Sequence, residues 1–506
     1  MYRRLFSVAV TGVDASVVEI ELDMSPGLPG LRIVGLPDKA VQEAGDRVKS
    51  ALRNAGYQYP TRKMVVNLAP AELPKEGTVY DLPIALAILA ASEQVPLPHA
   101  ERYLVMGELS LEGTVRPVRG ALAAAITAKQ NGYAGVVVPR DNAREAMALD
   151  GQLEVVPVAG LNEAVGFLSG RGSRPEPPPA EAEPPVESFL DFQDVRGQEG
   201  MKRALEVAAA GGHNILMMGP PGSGKTMCAQ RLPSILPPLS FDESLETTKI
   251  YSVAGEMRPG QGLLRLRPFR SPHHSISAAG LIGGGTWPRP GEVSLAHNGV
   301  LFLDEAPEFP RHILESLRQP LEDGKVSICR AATAQTYPAR FMLVLSMNMC
   351  PCGRRGEPRK ICRCTSAQVA QYVGRLSGPL LDRVDIQIEV PAVEYRALRE
   401  PKQGENSAAI RARVAAARAR QAQRFSGKSS PVNAAMTAEE IERFCALDQA
   451  GERLLRSAMT ELGLSARAHG RILKVARSIA DLAESDRILP DHLAEAIQYR
   501  LLDRRE

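Results

Sequence analysis

Gly219-Pro220-Pro221-Gly222-Ser223-Gly224-Lys225-Thr226 is the stretch on which the fold is read. It fits G-x-x-x-x-G-K-[ST] throughout. A strand-like run from Asn214 to Met218 leads in, and a helical pattern from Met227 to Leu232 leads out. Glycines in such a turn let the backbone wrap a phosphate with its N–H groups pointing inward, and the helix N-terminus adds partial positive charge. Lys225 then reaches the outer phosphates of ATP, and Thr226 a Mg²⁺ ion. Strand, loop and helix in this order predict an α/β core that binds a nucleotide.

The run Val300-Leu301-Phe302-Leu303-Asp304-Glu305 supplies the partner. Four apolar residues predict a buried central strand, and ligands of open α/β sheets sit at the carboxyl ends of such strands. Asp304 is placed there to hold the Mg²⁺ shell and Glu305 to polarise an attacking water. A further apolar strand, Phe341 to Ser346, runs into Met347-Asn348, where the Asn348 amide suits a role in orienting that water.

Length and composition bound the remainder. At 506 residues the chain is long enough for about three domains, and 44% hydrophobic with 24% charged residues is globular, excluding a disordered or fibrous chain. The balance of 61 Lys+Arg against 58 Asp+Glu leaves only +3, so any polyanion binding rests on local patches. No apolar stretch approaches the ~20 residues of a membrane helix. The run Leu5 to Val10 behind Arg3 and Arg4 is too short for a secretory leader. An odd number of cysteines, seven, with four at 350–364, fits a reducing, cytoplasmic setting.

Arg171 to Glu187 carries Pro175, Pro177, Pro178, Pro179, Pro184 and Pro185 and reads as a spacer. The expected division is an N-terminal α/β domain over 1–170, a Pro-rich linker over 171–191, an ATPase core over 192–392 and a helical lid over 393–506. In the first of these, strands are expected at Val17 to Leu22, Val65 to Leu68, Leu104 to Gly107 and Gly135 to Val138. Helices are expected at Asp38 to Ala55, Leu82 to Ala91 and Ala121 to Gln130.

Several further segments carry a resemblance. They are Gly211-Gly212-His213-Asn214, Arg270-Ser271-Pro272-His273-His274, the stretch Pro290 to Gly299, and Gly378-Pro379-Leu380-Leu381-Asp382-Arg383-Val384-Asp385. With the two nucleotide motifs, they make the chain resemble AAA+ ATPases of the magnesium-chelatase-like ComM/YifB family over nearly its whole length. The resemblance implies that Arg383 is an arginine finger reaching a neighbouring subunit's nucleotide. It also implies that Arg467 is the sensor-2 arginine over the γ-phosphate, with Arg471 as a competitor for that role, and that the assembly is a homo-oligomeric ring, a hexamer. Planar, permanently charged guanidinium groups suit both tasks.

Ser25 to Gly30, Val34 to Asp38 and Asn67 to Pro70 resemble the family's ribosomal-protein-S5-like domain, related to the proteolytic domain of Lon. Lon-type cleavage needs a serine and a lysine. Here Pro74-Lys75-Glu76-Gly77 runs into Thr78-Val79-Tyr80-Asp81 without a serine, and Leu122 stands at the lysine position, so the domain is expected to be proteolytically inert.

Between Glu256 and Glu292 lie Arg258, Arg265, Arg267, Arg270 and Arg289 among seven glycines, with no acidic residue. Arginines on glycine-rich loops at a channel would track a phosphate backbone, and Arg265, Arg267, Arg270 and Arg289 are the DNA-binding candidates. Trp287 could stack on a base. A second acid-free run, Arg411, Arg413, Arg418, Arg420, Arg424 and Lys428, rides a predicted helix. Cys350-Pro351-Cys352 and Cys362-Arg363-Cys364, nine residues apart, can close a tetrahedral Zn²⁺ site, with Arg354, Arg355, Arg359 and Lys360 between them presenting a basic knuckle to DNA. Cys228, Cys329 and Cys445 read as core residues.

The expected activity is that of an ATP-driven ring motor on DNA, a helicase or branch-migration enzyme, as the resemblance implies for natural transformation. The alternative is a protein-remodelling or metal-insertion chaperone, since the core also resembles the magnesium-chelatase motor subunit. An active ATP-dependent protease is a third reading, opposed by Val79 and Leu122.

Overall fold

The computed structural model describes residues 1–149, 151–179, 190–285, 288–329, 334–357, 361–392, 404–428 and 430–500. Its first sheet is mixed and has seven strands: β1 (Tyr2–Thr11), β2 (Asp14–Ser25), β3 (Gly30–Val34), β4 (Lys63–Ala69), β5 (Tyr103–Val105), β6 (Gly135–Pro139) and β7 (Glu154–Val158), in the order β3-β4-β2-β1-β5-β6-β7. The apolar run Leu5 to Val10 is the middle of β1, which forms a hairpin with β2 from Tyr2↔Asp23 to Thr11↔Asp14. β5, β6 and β7 pair in parallel, so crossovers must join them, and helix α3 (below) connects β5 to β6.

Three helices dominate this unit: α1 (Ala44–Asn54), α2 (Asp81–Ala91) and α3 (Ala121–Gln130). The helix expected from residue 38 is split at Glu43. A short turn, Lys39–Gln42, capped by Asp38 Oδ1 accepting from Val41 N at 2.7 Å, precedes α1. Every residue of α2 is buried, including Asp81. A buried carboxylate is costly unless paired. Here Arg47 on α1 donates to it at 2.7 and 2.9 Å, and Leu109 N at 3.3 Å.

The second sheet has five strands, all parallel: β8 (Ile215–Met218), β9 (Phe269–Arg270), β10 (Val300–Leu303), β11 (Met342–Met347) and β12 (Ile386–Glu389), in the order β9-β10-β11-β8-β12. Strands β8, β10 and β11 are buried along their whole length, which is why they read as unbroken apolar runs. Helices α4 (Glu199–Gly211), α5 (Lys225–Ile235) and α6 (Phe241–Ala254) accompany the sheet. Beyond it come α7 (Ser407–Arg424), α8 (Ala438–Phe444), α9 (Gln449–Leu462), α10 (Ala466–Leu482) and α11 (Pro490–Gln498). On α7, Ile410, Val414, Ala417 and Gln421 are buried at helical spacing, and the first three join one core with α4, α10 and β8.

The two sheets' units meet at α6 and the loop after it. Lys249 pairs with Asp14 at 2.9 Å, Gly120 N donates to Ser252 O at 3.3 Å, and Gly260 N to Asp141 O at 3.2 Å. Of the proline-rich stretch, Pro178 accepts from Arg144 Nε at 2.8 Å. Residues 180–189 lie outside the described residues.

Glu145 is buried at this junction. Its Oε1 accepts from Asn142 at 2.6 Å, and the Ser252 hydroxyl lines the same cleft. Burial pushes the carboxyl up to about 6 from an ordinary 4.5, against the bonds that favour its charge. A carboxyl raised in the folded state adds stability that is complete below the unfolded value and lost as pH rises through about 6. Glu145→Gln is therefore expected to stabilise the protein at pH 8 by about 2 kcal/mol. The gain should vanish at pH 4, and paired thermal melts at the two pH values check it.

Candidate active site

The phosphate-loop sequence joins β8 to α5. Gly224 lies in the left-handed region (φ +89), and a Cβ on Gly219 would stand 2.2 Å from Val390 O, so glycine is required at both. The loop starts on the sheet, because Gly219 N donates to Met347 O at 3.2 Å. Lys225 folds back into it and is buried. Its Nζ donates to Gly219 O at 2.8 Å, Pro220 O at 2.9 Å and Ser223 Oγ at 3.3 Å. Burial lowers its pKa, opposed by the charges of Asp304 and Glu305. A buried ammonium whose bonds, among the described residues, go to neutral oxygens fits an anionic ligand.

Asp304 and Glu305 stand at the carboxyl end of β10, facing that loop. Thr226 Oγ1 donates to Asp304 Oδ2 at 2.7 Å, so one hydroxyl and one carboxylate converge where a Mg²⁺ ion fits. Glu305 takes a left-handed backbone (φ 50), and its N–H is shared by Asp304 Oδ1 at 3.1 Å and Ser346 Oγ at 3.2 Å. That turn leaves the Glu305 carboxylate exposed beside the loop. Ser346 also donates to Asp304 Oδ1. In the sequence Ser346 stands only as the end of a strand. Its signal was a lone hydroxyl within an apolar strand. Asn348 follows β11 directly, one residue past the carbonyl that anchors Gly219.

Arg383 and Arg467 lie elsewhere. Parallel pairing of β8 with β12 runs from Ile215↔Ile386 to Met218↔Glu389. Residues 382–385 therefore sit at the amino end of the sheet and the phosphate loop at its carboxyl end, a separation of roughly 13 Å for four strand residues. Arg383 donates to Pro379 O at 2.7 Å and pairs with Glu322, and Asn214 Nδ2 fixes its carbonyl at 2.8 Å. Arg467, in the first turn of α10, pairs with Asp382 at 2.8 Å and is largely exposed. Arg467 thus does not lie over its own chain's phosphate loop. It shares a face with Arg383, because α10 is docked along residues 382–385. One turn on, Arg471 pairs with Asp385 at 3.2 Å. Burial alone would raise the Asp385 carboxyl, but the His213 ring, Arg471 and Lys474 outweigh it and hold it at about 2.

Two of the four DNA-binding candidates are held in ion pairs within the chain. Arg267 pairs with Glu243 at 2.8 Å and donates to Pro237 O and Asn298 O, each at 2.8 Å. Arg270 holds Glu292 with two 2.6 Å bonds. Both guanidinium groups are occupied in bracing α6 and β9, because carboxylates outside the acid-free segment fold back onto it. Arg265 and Arg289 are exposed. Trp287 lies outside the described residues.

The basic run on α7 is paired in the same way. Arg413 pairs with Glu206 and Glu405, Arg420 with Asp486, Arg424 with Asp481 and Lys428 with Glu440. Arg411 and Arg418 donate to the carbonyls of Ser234 and Ala209. The helix is an ion-pair-laced strut.

The four clustered cysteines converge, with all their Sγ atoms within 4.8 Å of one another. Cys228 and Cys445 are buried, and burial pushes both thiols up to about 12, as core residues require. Of the basic residues between the cysteines, Arg354 and Arg355 are exposed; Arg359 and Lys360 lie outside the described residues.

Comparison with known proteins fits this geometry. The family pattern described as "Magnesium chelatase, subunit ChlI" matches residues 191–398, "Subunit ChlI of Mg-chelatase" matches 20–142, and "Magnesium chelatase, subunit ChlI C-terminal" matches 404–500. The YifB protein of Escherichia coli is 46% identical over 499 residues, 98% of this chain and 96% of its own. The competence protein ComM of Haemophilus influenzae is 45% identical over 506 residues, 99% of this chain and 97% of its own.

The chain belongs to the magnesium-chelatase-like ComM/YifB family.

A weaker likeness, 24% over 201 residues, links this family member to the Lon protease of Rhizobium meliloti, covering 38% of the chain and 25% of the protease. The ComM/YifB membership carries ATPase chemistry with it, in keeping with the Lys225 loop. Among the described residues, no helix is long and apolar enough to cross a membrane.

Proposed function

We propose that the protein is a hexameric, ATP-driven motor that translocates on DNA and moves or unwinds branched strands during recombination in natural transformation. The observation that carries this reading is the split of the site. The Lys225 loop, Asp304 and Glu305 occupy the carboxyl end of the five-stranded sheet, while Arg383 and Arg467 occupy its amino end. One chain cannot bring the two together, whereas head-to-tail neighbours in a ring can.

In this reading residues 219–226 bind ATP, Lys225 leaves its loop carbonyls for the phosphates, and Thr226 and Asp304 hold Mg²⁺. The bound ion supplies charge neutralisation at the phosphates. Glu305 orients and polarises the attacking water, Asn348 positions it, and a neighbour's Arg383, with Arg467 beside it, stabilises the charge of the transition state. The four cysteines hold Zn²⁺. Residues 1–170 form a Lon-like, S5-type domain without proteolytic chemistry, since Leu122 is a buried aliphatic residue. Residues 171–191 are the linker, 192–392 the AAA+ core and 393–506 the lid, and the assembly works in the cytoplasm.

Support for DNA comes from the name of the competence protein ComM and from exposed Arg265, Arg289, Arg354 and Arg355. ATPase rates with no DNA, single strands, duplex and a four-way junction test it. DNA should raise the rate, and strand displacement should require ATP. ATPase activity indifferent to every DNA, without displacement, would overturn the motor. The chelatase descriptions of the matching families favour a second reading, a protein-remodelling or metal-insertion ATPase. That reading gains if only protein clients alter the rate.

A further inference from the structure

The four-cysteine knuckle stands in an unexpected place. Chain leaving β11 passes Asn348 and Met349 and enters Cys350 at once, and Cys350 is fully buried. Its turns then lie flush against the phosphate loop. A Cβ on Gly353 would stand 3.3 Å from Pro221 Cδ and 4.0 Å from Asn348 Nδ2, and one on Gly356 would stand 3.9 Å from Pro220 Cδ and 2.9 Å from Met349 Sδ. Pro220 and Pro221 belong to the same loop whose carbonyls hold Lys225. The knuckle therefore forms one wall of the nucleotide loop and backs Asn348 as well.

The sulfur geometry specifies what sets the shape of that wall. Sγ–Sγ distances are 3.4 Å for Cys350–Cys352, 3.7 Å for Cys352–Cys362 and 3.6 Å for Cys350–Cys362. A tetrahedral zinc with ~2.3 Å bonds has sulfur edges of about 3.8 Å, whereas a disulfide needs about 2.05 Å. Arg355 N donates to Cys350 Sγ at 3.4 Å, a backbone bond of the kind that orients a thiolate on a metal. Cys352, by contrast, is exposed.

We propose that Cys350, Cys352, Cys362 and Cys364 bind one Zn²⁺ ion and that this ion braces the nucleotide loop through Pro220, Pro221 and Asn348, so that zinc occupancy sets ATP affinity. The brace rests on the reading of residues 219–226 as the ATP site. Loss of zinc frees the thiols, lets the Gly353 and Gly356 turns move off the prolines, and leaves the loop open on that side.

The test uses full-length protein purified without chelators. Elemental analysis should find about one zinc per chain, as a four-thiolate structural site requires. Cobalt substitution should give a thiolate-to-metal charge-transfer band. The double variant Cys352→Ser with Cys364→Ser should lose the metal and bind a fluorescent ATP analogue about tenfold more weakly, as supporting-shell losses do, with unchanged far-UV circular dichroism. Wild-type protein stripped with a mercurial and a chelator should lose affinity to the same extent and regain it with zinc alone. This arm decides the matter should the double variant misfold. Zinc-free wild-type protein without a cobalt band would overturn the site. Zinc at full stoichiometry whose removal leaves ATP affinity within about twofold, well short of that loss, would overturn the brace. A zinc-replete protein that binds no nucleotide would instead overturn the ATP reading and the brace with it, leaving the metal site standing.

Discussion

Arg383→Ala is expected to lower the steady-state ATPase kcat by a factor of about 10³ to 10⁵, the range that an arginine finger supplies. The protein itself should be little disturbed. Among the described residues the guanidinium bonds Pro379 O and Glu322; the Arg383 side chain is 19% exposed and that of Glu322 67%, and loss of such a half-exposed pair costs about 1 kcal/mol. ATP affinity should hardly change, because Arg383 sits at the opposite end of the sheet from its own Lys225. A large loss of kcat with near-normal binding and a near-normal melt marks a group that acts only in the transition state. A fall of less than about tenfold would remove Arg383 from that role.

Glu305→Gln should lower kcat by about 10² to 10⁴ through loss of the group that takes the water's proton. The amide is nearly isosteric. The main-chain bonds that fix residue 305, to Asp304 Oδ1 and Ser346 Oγ, come from its backbone N–H and do not depend on the side chain. The variant should therefore bind ATP as the wild type does and accumulate in the ATP-bound assembly. Filter binding of labelled ATP beside a hydrolysis assay checks this. Loss of binding together with hydrolysis would mean that Glu305 shapes the pocket.

Much of this architecture could be read from residue order alone. The strand entering the phosphate loop and the Val300 to Leu303 strand lie within a residue of their expected bounds, because fully buried parallel strands leave unbroken apolar runs. Cys350, Cys352, Cys362 and Cys364 converge as their spacing suggested. What sequence could not show was charge pairing across long separations. The segment from Glu256 to Glu292 looks like a free basic loop in one dimension. In three, Glu243 neutralises Arg267, and Glu292, the boundary residue, neutralises Arg270. The same holds for α7, whose arginines find Glu206 on α4, Asp481 on α10 and Asp486 in the loop after α10. The position of Arg467 was equally hidden, since only the parallel pairing of β8 with β12 shows which end of the sheet α10 meets. Ser346 escaped notice because one hydroxyl in a strand is an ordinary sight until it is seen to bond both Asp304 and the backbone of Glu305.

The most direct test of a shared nucleotide site is to mix two proteins that are each inactive, Glu305→Gln and Arg383→Ala, and to measure ATP hydrolysis as the ratio is varied. The first still donates an intact arginine, and the second still carries an intact pocket. Where the two meet head to tail, a complete site re-forms at about a quarter of the interfaces of a randomly mixed ring. Hydrolysis that returns on mixing, is greatest near equal proportions and disappears on dilution below assembly is the predicted result. A mixture that assembles and stays as inactive as its components would contradict the account.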